Sequence, residues 1–79
     1  MSAASVAQWN RMAALLRDVE RSGGIDTYAH LLSHGHHPLT IKSAVYREML
    51  TWTSPDNRYR MAHDGRNFLV AQRVMKPGY

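Results

Sequence analysis

Apolar residues recur every three or four positions from Val6 to Trp52, and from Arg58 onward the period shortens to two. A period near 3.6 belongs to a helix buried along one face, and a period of two to a half-buried strand. The pattern therefore predicts helices first and a strand pair last, an α+β arrangement. A chain of 79 residues has room for one core. A single domain over 1–79 is expected, with its core across 6–73 and a loose basic tail at 74–79.

Val6, Trp9, Met12, Ala13, Leu16 and Val19 mark the first helix, with Ser5 as its cap and Ser22-Gly23-Gly24 as its stop. Met12 and Leu15 widen its apolar arc. That arc either fits inside one chain or lets two copies pair as a homodimer through this helix. Asp26 or Thr27 opens a short second helix striped by Tyr28, Leu31 and Leu32 and closed by Gly35. A connector from Gly35 to Leu39 follows, longer than a three- to four-residue turn. Thr40 then caps a third helix, with Leu39 as a hydrophobic staple. Ile41, Ala44, Val45, Met49 and Trp52 carry its period to Trp52, and Pro55 bars continuation through the turn Thr53-Ser54-Pro55-Asp56-Asn57.

Asp64-Gly65 is the dipeptide that a two-residue type I′ hairpin favours, because both central residues need positive φ. Folding the chain there opposes Met61 to Phe68 and Tyr59 to Val70. One face then holds Tyr59, Met61, Phe68 and Val70, and the other holds Arg58, Arg60, Ala62, Asn67, Leu69 and Ala71.

Charge is unevenly placed. Over 1–39, Arg11, Arg17 and Arg21 are balanced by Asp18, Glu20 and Asp26. Over 40–79, seven cations stand against Glu48, Asp56 and Asp64, so the whole net charge of +4 lies in the second half. A partner dense in negative charge would be drawn to that half. No stretch approaches the roughly 20 apolar residues that span a bilayer, and the start lacks the basic and apolar regions of a signal peptide. A cytoplasmic protein without membrane contact is expected. The absence of cysteine excludes disulfides and thiolate ligands. With no nucleophile elbow, carboxylate pair or phosphate-binding glycine loop, neither an enzyme nor a cofactor is expected.

The order helix, helix, helix, hairpin resembles the winged branch of the helix-turn-helix superfamily. Leu39-Thr40-Ile41-Lys42-Ser43-Ala44-Val45-Tyr46-Arg47 looks like the start of a recognition helix, and Arg58-Tyr59-Arg60 through Phe68-Leu69-Val70 looks like a wing. The resemblance implies a three-helix winged helix-turn-helix with a C-terminal β-hairpin wing, binding double-stranded DNA as a small transcriptional regulator. The third helix would enter the major groove N-terminal end first. Thr40, Lys42, Ser43, Tyr46 and Arg47 would line it, with Arg47 forking onto a guanine. The wing would set His63, Arg66 and Asn67 at its tip, with Arg58 and Arg60 along phosphate or guarding an edge strand. The same fold and charge also suit a small inhibitor or adaptor that presents its basic face to an acidic protein.

His30 and His34 are four residues apart on one helix face, and His36 and His37 follow at once. His30, His34 and His37 are the residues that could share a zinc, nickel or copper ion. Without cysteine or a completing carboxylate set, a structural or solvent-exposed role is the expectation, and no metal is assigned.

Overall fold

A computed structural model describes residues 3–54 and 56–75. In chain order the elements are α1 (Ala3–Arg21), β1 (Ile25–Thr27), α2 (Tyr28–Ser33), α3 (Pro38–Tyr46), β2 (Leu50–Thr53), β3 (Arg58–Met61) and α4 (His63–Met75). The α+β class is as expected, with four helices around a three-stranded antiparallel sheet ordered β1-β3-β2.

The first three helices end in the same way. After α1, the N–H groups of Gly23 and Gly24 donate to the carbonyls of Glu20 and Val19. After α2, Gly35 and His36 donate to Leu32 and Leu31, and after α3, Glu48 and Met49 donate to Val45 and Ala44. This paired Schellman closure needs a left-handed residue just past the helix, a conformation that glycine adopts freely. Gly23 and Gly35 supply it twice (φ 86° and 87°); at the third site Glu48 does so with φ 60°.

Three boundaries differ from expectation. Helix α1 begins at Ala3, so Ser5 lies inside its first turn rather than ahead of it. Helix α3 begins at Pro38, not after Thr40: proline at the first helical position gives up an N–H that has no partner there anyway. It also stops at Tyr46 instead of Trp52, because the closure at Glu48 turns the chain into β2. The alternation Leu50-Thr51-Trp52-Thr53 is a strand that an extended helical period had absorbed.

The largest correction concerns the hairpin. Arg58–Met61 is a strand, but it pairs with Leu50–Thr53 on one side and Ile25–Thr27 on the other. Both edges of β3 are thus occupied, and no edge remains for a strand from 66–72. The hairpin is Leu50–Met61, its strands joined through 54–57; Pro55 lies outside the described residues. Asp64-Gly65 sits in the first turn of α4, so the C-terminal hairpin wing expected over 58–72 does not form: its first strand is β3 and the rest is helix. The inward stripe of α4 is Gly65, Phe68, Leu69 and Gln72, at helical spacing. Two of its four members are not large apolar residues, which hid the period. Helix α4 includes Val74 and Met75, and the rest of the expected tail, 76–79, lies outside the described residues.

The core gathers Leu15, Leu16 and Val19 of α1, Leu31 of α2, Ile41 and Ala44 of α3, Leu50, Met61 and Leu69. Each large aliphatic side chain buried this way contributes about 1.5–3 kcal/mol of transfer free energy. Met12 and Leu15 are buried too, so the wide arc of α1 is used within the chain, against α3, α4 and the sheet.

Candidate nucleic-acid interface

Helices α2 and α3 are joined by residues 34–37, a four-residue turn shorter than the Gly35–Leu39 connector expected. His37 is the cap of α3: its Nδ1 accepts from the Leu39 N–H at 3.1 Å. From there the helical phase sorts the side chains. Ile41 and Ala44 are buried and Val45 half-buried, while Lys42, Tyr46 and Arg47 are exposed on the opposite side. Leu39 and Tyr46, one on each end of that outer face, are 68% and 88% exposed. Thr40 and Ser43 are half-buried on the flank toward α1. Arg47 also turns to that flank, its guanidinium 4.8 Å from the ring centre of Trp9.

Histidine–carboxylate contacts fix the turn from behind. His34 Nδ1 and His36 Nε2 both donate to Oδ2 of Asp18, near the end of α1. The His36 hydrogen bond is the chief reason the Asp18 carboxyl is held below the usual carboxylate range; His34 adds to it, and burial opposes. His30 Nδ1 donates to Asp26 at 2.7 Å, and the Thr27 N–H and Ser22 hydroxyl donate to the same carboxylate. Burial is the largest single influence on Asp26 and pushes its carboxyl upward, but the three donors together bring it below the usual value.

These contacts account for the histidines considered as metal ligands. The rings of His30 and His34 lie 4.0 Å apart, but each is committed to a different aspartate, and His37 is committed to capping α3. Among the described residues no group of three histidine, cysteine, aspartate or glutamate side chains is arranged to hold a metal ion.

The other expected site residues fall in two places. Arg58 and Arg60 are exposed on β3, where register pairs Arg58 with Thr53, the last residue of β2 before the hairpin connection. Arg58 is therefore the cation beside the hairpin tip. His63, Arg66 and Asn67 do not reach that tip; all three are exposed on the first turns of α4. Among the described residues no carboxylate pairs with Lys42, Arg47, Arg58, Arg60 or Arg66, whereas Arg21 meets Asp18 and Arg73 meets Glu20.

Two grooves border α3. One, of about 700 Å³, runs between α1 and α3 and is lined by Gln8, Trp9 and Arg11 from the first helix, by Thr40 and Ser43 from the third and by Arg47, which caps the third. The other, of about 650 Å³, lies where α3 ends against the hairpin and the start of α4, and includes Glu48, Trp52, His63 and Asp64. Sequence reasoning assigned Trp9 to the core and gave Gln8 and Arg11 no role. The available signal was their spacing, three apart on the polar side of α1 and flanking Trp9.

Comparison with known proteins returns no matching family model, curated protein or solved structure. No described helix is long and apolar enough to cross a membrane.

Proposed function

We propose that this chain is a winged helix-turn-helix protein that binds double-stranded DNA, a small cytoplasmic transcriptional regulator rather than an enzyme. In this reading α2 and α3 form the helix-turn-helix, α3 enters the major groove, and the β2–β3 hairpin is the wing. The observation that carries it is α3 itself. A four-residue turn presents the helix, its inner face is locked into the core, and its outer face offers Lys42 and Tyr46, with no carboxylate paired to Lys42 among the described residues. The order helix, strand, helix, helix, strand, strand and the sheet order β1-β3-β2 support the winged assignment. Arg58 beside the hairpin tip supplies a cation for flanking phosphate or a minor groove.

The test is an electrophoretic shift with a random duplex pool over a salt series. Cation release from phosphates predicts a linear fall of log affinity with log salt. Lys42→Ala and Tyr46→Ala are expected to weaken binding. A salt-independent shift, or none at low salt, would remove the reading. The exposure of Leu39 and Tyr46 favours a second reading, in which the same face docks on an acidic protein with an apolar cleft. That reading predicts no duplex shift and a stoichiometric complex lost on Leu39→Ser.

A further inference from the structure

On the basis of the DNA-binding reading above, we propose that the groove between α1 and α3 cradles the sugar-phosphate backbone of one DNA strand, with Arg11 and Arg47 as its phosphate contacts. An α-helix with its side chains is about 10–12 Å across, and the major groove is about 12 Å wide. A helix seated there has a phosphate backbone along each flank, and whatever stands beside the helix on a flank meets it. On the Thr40, Ser43 and Arg47 flank of α3, that element is α1.

The chemistry of the two grooves separates them. Every polar side chain lining the α1–α3 groove can donate a hydrogen bond: the Gln8 amide, the Thr40 and Ser43 hydroxyls, and two guanidinium groups. His37 belongs to the same set, because an Nδ1 that accepts from Leu39 leaves the ring N–H on Nε2. No carboxylate lines this groove, whereas Glu48 and Asp64 line the other one and would repel phosphate.

Arg47 also changes role. Its guanidinium lies over the Trp9 ring, aimed along the flank and not outward at a base edge. A cation–π contact orients the group without neutralising it, so its charge stays available to phosphate. Arg47 then fixes position on the duplex, and base reading falls to Lys42 and Tyr46.

The experiment compares salt slopes of duplex binding for the wild type, Arg11→Ala, Arg47→Ala and Arg17→Ala, each with two unrelated duplexes. Arg17 is an exposed cation on α1 that does not line the groove, so it controls for net charge. Losing one phosphate contact makes the slope of log affinity against log salt shallower by about 1. That change is expected for Arg11→Ala and Arg47→Ala, equally on both duplexes, and not for Arg17→Ala. Wild-type slopes in the two groove variants, or an equal change in Arg17→Ala, overturn the cradle while leaving DNA binding intact. A sequence-dependent loss in Arg47→Ala returns that residue to base reading and equally overturns its role here. Failure of the wild type to bind any duplex removes the DNA reading and the cradle together.

Discussion

A Cβ built on Gly65 would lie 2.3 Å from the carbonyl oxygen of Met49 and 2.8 Å from the sulfur of Met61. The Met49 carbonyl is itself held in place, since it accepts from the N–H of Ala62, the residue just before α4. Helix α4 can therefore seat against the β2 entry only with a glycine at this point. In an open helix, glycine to alanine gains about 1 kcal/mol. Here the obstacle is backbone, which cannot rotate aside, and Gly65→Ala is expected to lower unfolding free energy by about 1–3 kcal/mol, the range for overpacked cores. Urea titration measures it; an unchanged or raised midpoint contradicts the close approach.

The paired histidine contacts give acid sensitivity with a defined sign. Asp18 and Asp26 are both more acidic in the folded chain than a free aspartate. Such a group contributes stability above its unfolded value of about 3.9, and that contribution is lost as pH falls through the lower folded value. Melting temperature should thus drop as pH goes below about 4. Asp18→Asn should be less stable than wild type at neutral pH, the two curves converging in acid. Parallel melting curves down to acid would show that the carboxylate adds nothing.

Glu48 occupies with φ 60° the place that Gly23 and Gly35 hold after the other helices. A left-handed non-glycine residue costs on the order of 1 kcal/mol, partly offset by the greater freedom of glycine when unfolded. Glu48→Gly is expected to stabilise by up to about 1 kcal/mol while leaving far-UV circular dichroism unchanged. A loss of stability would mean that the glutamate side chain holds the site in a way its exposure does not suggest.

Among the described residues, Asn57 is the other non-glycine residue with positive φ, at 51°, and its Oδ1 accepts from the Trp52 indole N–H at 2.8 Å. Its carbonyl accepts from the Tyr28 N–H, linking hairpin and α2. Asn57→Gly removes only the side-chain bond, while Asn57→Ala removes it and keeps the strained backbone. Differential scanning calorimetry should rank wild type above Gly and Gly above Ala, with Ala about 1–2 kcal/mol below wild type. Equal melting of the two variants would refute the backbone part.

What could be read in advance follows physical lines. Helix α1, the core-facing phase of α3 and the strand Arg58–Met61 were legible because their stripes consist of large apolar residues at one clear period. Strand β1 was not: three residues, Ile25–Thr27, carry no period. Strand β2 was hidden because Met49 and Trp52 happen to extend the phase of α3, and nothing at Glu48 announces a left-handed turn. Helix α4 was misread because Asp64-Gly65 is a hairpin signal when glycine is needed for φ, whereas here glycine is needed for space. Of the side chains that spacing groups on one face of α3, Lys42 and Tyr46 are exposed, whereas Ser43 is half-buried on the flank toward α1. The hairpin tip was misplaced along with the hairpin, and the α1 side of the proposed interface rests on a tertiary contact, Arg47 over Trp9, that spacing does not encode.

Trp9 touches two neighbours at once: Arg47, the cap that closes α3, 4.8 Å from its guanidinium to the indole ring centre, and Phe68 of α4, ring centre to ring centre, at 5.4 Å. The indole is thus shared by one neighbour that closes α3 and a second that follows only in α4. A nascent chain that has reached Ala62 already holds every residue of α3, yet Trp9 still lacks its aromatic neighbour and the core still lacks Leu69. Translation must run on through α4 before the tryptophan beneath Arg47 is held from both sides.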